Sequence, residues 1–339
     1  MENKKNRIEF LDIARTFAII SVVLCHSVEL IYNMKLEGWE NLSVQSQMFR
    51  TICFTIGRLG VPIFLLITGY LILNKQIDND DDVINFYKKN LLPLVVTTEI
   101  WIVIYNIFIP IYTHERFEFS SLIKNMLFIE QVPLMNMWYM PMIIGMYIAL
   151  PFVSKIMHTF SMKSLKFAMI IVFLLKFLLP TINVVLNIWN LKLLGNIIDI
   201  GFLGGGYGLY IVSGYLISRG KLKKEKSRNI CIIGIISFVL ACVIQIISYN
   251  NLIEYAIWYD SVFIYICTIC IFELCTRINI QNINKRVINA STYISKISLS
   301  IFFLHIIIAM IATPIIGKLA IINPVKVLIL FTVTFISDD

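Results

Sequence analysis

Charge is scarce in this sequence: 15% of its 339 residues are Asp, Glu, Lys or Arg. A water-soluble domain carries about 25%. With 58% of residues apolar or aromatic and a mean hydropathy of +0.80, a soluble enzyme is excluded. A paired set of cysteines is lacking too. The seven (25, 53, 231, 242, 267, 270 and 275) are odd in number and fall almost wholly in apolar runs, which argues against a disulfide framework. Cys267 and Cys270 form a CxxC with no second ligand pair, so packing explains them better than zinc or redox chemistry. There is no low-complexity linker and no stretch that reads as a second, soluble domain. The first apolar run lacks a small-residue cleavage site and contains Asp12, Arg15 and His26, so it reads as a span and not a cleaved signal. Disorder is excluded by the aromatics: 23 Phe, 15 Tyr and 5 Trp.

What is present is a series of long apolar runs. A helix crossing about 30 Å of hydrocarbon needs roughly 20 residues. Runs near 8–32, 51–73, 91–112, 137–154, 167–187, 199–218, 229–248, 255–276, 297–317 and 322–336 approach or meet that length. The expected fold is an all-α, polytopic transmembrane bundle of about ten spans, a single membrane domain over 1–339. Asn183, Asn187 and Gly201–Gly208 interrupt the fifth and sixth runs, and the last is short before Asp338-Asp339, as if truncated.

The net charge of +8 is read as topology, with membrane lipid and not nucleic acid as the partner. Lys4, Lys5 and Arg7, the cluster Arg219, Lys221, Lys223, Lys224, Lys226 and Arg228, and the other basic loops alternate onto one side. Lys35, Arg50, Arg116, Lys124, Lys192 and Lys318 are fewer and fall on the other, which places both termini in the cytoplasm. Phe119, Leu122, Ile123, Met126 and Leu127 repeat at helical spacing and predict an interfacial helix, while Asp78–Asp82 reads as a solvated inner loop.

Ionisable groups within spans cost free energy and need a reason. Arg15 and His26 stand 11 residues apart in the first run, within about 20° of one face and about 16 Å apart along the axis. A guanidinium toward the cytoplasmic side can hold an anionic, phosphate-bearing donor by forked hydrogen bonds. An imidazole toward the outer side can take a proton from an acceptor hydroxyl. The plainer alternative pairs Arg15 with Asp12 and leaves His26 to satisfy a neighbouring helix. Arg58 lies in Gly57-Arg58-Leu59-Gly60-Val61-Pro62, where glycines permit close helix approach and proline a local break. Glu99 is a candidate counter-ion for Arg58 or Arg15. Asp260 is a candidate to orient His26, placed about a turn inside its span. Asp199 is a further embedded acid, and His305 reads as structural.

These residues carry a resemblance. The first run, LDIARTFAIISVVLCHS with Arg15 and His26, resembles the diagnostic motif of the acyltransferase-3 family of ten-helix membrane acyltransferases. Val61-Pro62 to Thr68-Gly69-Tyr70, Trp138-Tyr139 to Gly145-Met146-Tyr147, and Ser298 to His305 resemble three further family segments in the same order. The resemblance spans essentially the whole chain. It implies O-acylation, usually O-acetylation, of an extracytoplasmic polysaccharide or lipid-linked glycan, with acetyl-coenzyme A as donor substrate and no bound cofactor or metal. It implies catalysis by His26 with Arg15, donor binding by Arg15, Arg58, Lys88 and Lys89, and support from Glu99, Asp260, Tyr70, Trp138 and His305. The chain departs from the family twice. Lys88-Lys89 stands where many members have an RxxR motif, and Asn136 where many have a histidine. The rival readings are a transporter using the same polar groups for alternating access, and an inactive truncated member.

Overall fold

A computed structural model of the chain describes residues 8–195 and 205–336. Lys4, Lys5 and Arg7, Asp199, Gly201 and Gly204, and the terminal Asp338-Asp339 lie outside the described residues. Among those described, every regular element is helical. In chain order they are α1 (Glu9–Ile31), α2 (Leu36–Glu40), α3 (Val44–Gly57), α4 (Gly60–Ile72) and α5 (Asp80–Phe86). A π-helical turn, Tyr87–Leu91, leads into α6 (Leu92–Thr113), followed by α7 (Phe119–Met126), α8 (Tyr139–Thr159) and α9 (Met162–Phe173). A second π-helical turn, Leu174–Leu178, leads into α10 (Leu179–Ile188). Then come α11 (Gly205–Ser218), α12 (Ser227–Asn250), α13 (Val262–Thr276), α14 (Lys285–Gly317) and α15 (Asn323–Ile336).

Among the described residues, seven helical runs are long and apolar enough to cross a membrane: Glu9–Ile31, Val44–Ile72, Asp80–Thr113, Tyr139–Thr159, Met162–Ile188, Ser227–Asn250 and Lys285–Gly317. Val262–Thr276 and Asn323–Phe335 are shorter apolar helices, and α11 has 14 residues. The all-α, many-span architecture expected from the sequence is therefore present. Several boundaries differ. The run expected from 51 begins at Val44, and Arg50, expected in an outer loop, is buried between the rings of Trp39 and Tyr249. Asp80–Asp82, expected in a loop, form the first turn of α5, where Asn79 caps the Asp82 amide and carboxylates favour the helix dipole.

The π turns share a cause. Pro93 and Pro180 have no N–H, so the carbonyls of Lys89 and Lys176, four residues earlier, lose their α-helical donor. The chain takes up one extra residue instead, Leu92 N–H pairing with Tyr87 and Leu179 N–H with Leu174. Lys88 and Lys89 consequently lie in a helical turn and not in a loop.

The chain divides into two compact units, 1–74 with 163–339, and 75–162. In the first, α1 is central and packs against α3, α4, α13, α14 and α15. Glycine makes the α3–α4 approach possible: a Cβ on Gly57 would stand 2.5 Å from the Cβ of Cys25, and one on Gly60 2.5 Å from the Ala18 carbonyl. Asp12 meets Ser295 and His26 meets His305, so α1 and α14 run in the same sense. The outward faces are apolar. On α12, Ile232, Ile236, Val239 and Val243 are exposed while Ser237, Gln245 and Ser248 point inward, the inversion expected where lipid replaces water. In the second unit, Tyr87 donates to the Ile148 carbonyl and Lys155 pairs with Asp78 at 2.7 Å, joining α5 and its π turn to α8.

Candidate active site

The unbroken α1 keeps Arg15 and His26 about 16 Å apart along its axis. Their surroundings differ. His26 is buried, and its Nδ1 lies 2.7 Å from Oε2 of Glu29, one turn later on the same helix. A carboxylate accepts, so Nδ1 carries the proton and Nε2 keeps its lone pair. The other oxygen of Glu29, Oε1, takes a 2.9 Å hydrogen bond from Nη2 of Arg58. Arg58 sits at the α3–α4 break, where Pro62 leaves the Arg58 carbonyl without its α-helical donor.

Arg58 is 4% exposed, and burying a guanidinium costs several kcal/mol unless it is fully engaged. It is engaged. Nη1 donates to the Tyr259 hydroxyl at 3.3 Å, and the cation lies 4.2 Å from the Trp258 ring centroid and 4.5 Å from that of Phe54. Tyr259 is fixed in turn by the Tyr210 hydroxyl, which donates to its carbonyl at 2.9 Å. The result is a chain of contacts from a rigid aromatic wall through Arg58 and Glu29 to one face of His26.

On the opposite helix, the His305 ring centroid is 5.3 Å from that of His26. Its Nδ1 donates to the Ile301 carbonyl at 2.9 Å, which leaves Nε2 as a buried acceptor without a partner among the described residues. His305, read from the sequence as structural, thus stands with its ring beside that of His26.

Arg15 is different. Its side chain is 30% exposed, and its Nη1 is 3.8 Å from Asp12. Asp12 is held mainly by the Ser295 hydroxyl, which donates at 2.7 Å, with Thr292 at 3.5 Å. Tyr70 also lies toward this end of α1, edge-on to Phe10 and Phe272.

Asp260 stands in the loop before α13 and not within a span, because the helix begins at Val262. The carboxylate on His26 is Glu29, and the carboxylates on Arg58 and Arg15 are Glu29 and Asp12, the places for which Asp260 and Glu99 were candidates. Asp260 lines a cavity of about 430 Å³ with Lys176, Gly205, Gly206, Tyr207, Trp258 and Tyr259. Lys88, Lys89, Glu99 and Trp138 belong to the second unit. There Glu99 on α6 has a buried carboxylate oxygen with no hydrogen-bond partner among the described residues, and Trp138 precedes α8 edge-on to Tyr139. Asn136 is buried and hydrogen-bonded to Tyr105, an anchoring role for the residue that replaces the family's histidine.

Sequence reasoning missed Glu29 altogether, although the signal was present: an acid three residues after His26 shares its helix face. It also missed Glu273, buried on α13 and paired with Arg277 at 2.7 Å, a bridge that ties α13 to the 222–227 segment.

A family profile described as an acyltransferase domain, that of the acyltransferase-3 family, matches residues 8–337. No curated protein and no solved structure matches the chain.

Proposed function

The chain belongs to the acyltransferase-3 family and is a multi-pass membrane acyltransferase; from that premise we propose that it transfers acetyl groups from cytoplasmic acetyl-coenzyme A to a hydroxyl of an extracytoplasmic polysaccharide or lipid-linked glycan in a bacterial plasma membrane. The observation that carries the reading is the His26–Glu29–Arg58 chain, at 2.7 and 2.9 Å. Glu29 holds the imidazole in the Nδ1–H tautomer and stabilises the imidazolium that forms when Nε2 takes a proton. Arg58, on the other oxygen, holds Glu29 in place.

In the transfer step, Nε2 of His26 removes the proton of the acceptor hydroxyl as its oxygen bonds to the thioester carbonyl carbon. The carbon–sulfur bond breaks, the imidazolium returns the proton to the departing sulfur, and the products are the acetyl ester and the free thiol. His305 Nε2, an acceptor, takes a hydrogen bond from a neighbouring hydroxyl of the acceptor sugar and so helps to orient it. Arg15, partly exposed and forked, takes the donor's phosphates. Arg58, first expected among the donor-binding groups, is assigned to Glu29 because its guanidinium is committed there.

The test is proton NMR of surface polysaccharide from cells carrying the wild type, His26→Ala or neither. O-acetyl methyl signals that need the wild type and vanish with His26→Ala, at equal membrane levels, are the expected result. Identical acetyl signals in all three would overturn the proposal.

A further inference from the structure

Lys176 is an embedded cation that the chemistry above does not use. It interrupts the apolar run Met162–Ile188 and has no ion-pair or hydrogen-bond partner among the described residues. An ionisable group at such a place, with no ion pair formed among the described residues, marks a site by default.

The surroundings are built as a cavity. Gly205, in the left-handed conformation at φ +54°, lies over the Lys176 stem: a Cβ there would come 3.5 Å from Cε, so the missing side chain keeps the space beside the lysine open. Gly206 likewise lies against the Phe177 ring. The remaining wall is aromatic and acidic, Tyr207, Trp258, Tyr259 and Asp260, enclosing about 430 Å³, within the range of small-molecule sites. Trp258 and Tyr259 are the two residues that also engage Arg58, so the cavity wall and the anchor of the His26–Glu29 pair are one structure.

We propose that this cavity is the acceptor subsite and that it takes a sugar ring bearing a negative charge, a reading that rests on the acyltransferase function above. Trp258, partly exposed, offers a face on which the C–H surface of a pyranose stacks. Asp260, also without an ion-pair partner among the described residues, accepts hydrogen bonds from ring hydroxyls. The Lys176 ammonium, a compact point charge, pairs with the anionic substituent. A neutral sugar satisfies the tryptophan and the aspartate but leaves the lysine uncompensated. The anion can be a uronic carboxylate of the glycan or the phosphate of a lipid-linked precursor.

The test uses purified full-length protein in detergent and saturation-transfer NMR with methyl glucoside, methyl glucuronide, methyl galacturonide and glucose 6-phosphate as probes. At least one charged probe is expected to bind about tenfold more tightly than methyl glucoside. Lys176→Met should erase that preference while leaving the neutral probe unchanged, and Asp260→Asn should weaken all of them together. Preference for the carboxylates identifies a uronic acid, and preference for the phosphate identifies the lipid-linked precursor. Equal binding of charged and neutral probes, a charge preference that survives Lys176→Met, or no binding at all would each overturn the proposal. Gel filtration of both variants checks that they fold. O-acetyl analysis of cells with His26→Ala separates the two claims. Loss of acetyl groups without sugar binding sinks the subsite alone, whereas Lys176-dependent binding with acetylation intact sinks the acyltransferase reading alone.

Discussion

The two ends of α1 carry the same pair of groups, a base and a carboxylate three residues apart, and place them in opposite settings. At one end Asp12 and Arg15 stand 3.8 Å apart, the acid held mostly by hydroxyls of α14 and the guanidinium partly exposed. At the other, His26 and Glu29 meet at 2.7 Å in a buried cluster closed by Arg58. The consequence is mechanical. Arg15 can swing to a ligand without unbalancing Asp12, because neutral donors keep that carboxylate satisfied. His26 cannot turn without stranding Glu29, whose remaining partner is a buried cation. On the proposed function, one end binds the donor and the other holds an imidazole still.

The sharpest way to break this contrast is at Glu29. General-base catalysis contributes about 10²–10⁴-fold. His26→Ala should therefore lower the transfer rate by about that factor, and Glu29→Gln by about 10²-fold, with the KM for acetyl-coenzyme A nearly unchanged in both. A Glu29→Gln variant with wild-type kcat would show that the tautomer is not set by this contact. Next in size is Arg58→Gln. Removing one member of a buried pair costs about 3–5 kcal/mol, because the other charge is left uncompensated. Thermal unfolding in detergent should show that loss, and the double variant Glu29→Gln, Arg58→Gln should recover part of it. Additive losses would mean that the two groups do not act as a pair.

How far this was legible in the sequence follows from how local each feature is. The apolar runs and the Arg15–His26 spacing depend on one helix at a time, and both are found as expected. Gly57 and Gly60 signalled a close approach, and the backbones of α1, α3 and α4 do approach there. Glu29 is equally local, three residues after His26 on the same helix face. The Arg58–Glu29 bond joins different helices, and the Trp258–Tyr259 wall is brought to Arg58 only by packing of the loop before α13. Spacing along the chain carries no such information. The π turns fall between these cases. A proline after a lysine-containing helical run marks a lost hydrogen bond, but whether the helix kinks or widens is decided by its neighbours.

At the Arg15 end the effects should be smaller and of another kind. Arg15→Lys keeps the charge and loses the fork, so the expected outcome is about a tenfold rise in the KM for acetyl-coenzyme A with kcat within about twofold. A fall in kcat with KM unchanged would place Arg15 in the chemical step and dissolve the division between a binding end and a reacting end.

The smallest effect tests the mechanical argument directly. Ser295→Ala removes the 2.7 Å hydrogen bond to Asp12 and leaves Thr292 at 3.5 Å. A hydrogen bond to a charged group contributes about 1.5–3 kcal/mol, and the remaining hydroxyl together with Arg15 should offset part of the loss, so unfolding free energy should fall by about 1 kcal/mol. If Asp12 anchors the helix pair and Arg15 moves independently of it, the KM for the donor stays at its wild-type value despite that loss. If Asp12 instead aims Arg15 as Glu29 aims His26, the strengthened Asp12–Arg15 pair in Ser295→Ala holds the guanidinium back from the donor, and KM rises toward that of Arg15→Lys. The second outcome would make the two ends of α1 mechanically alike and leave exposure as their only difference.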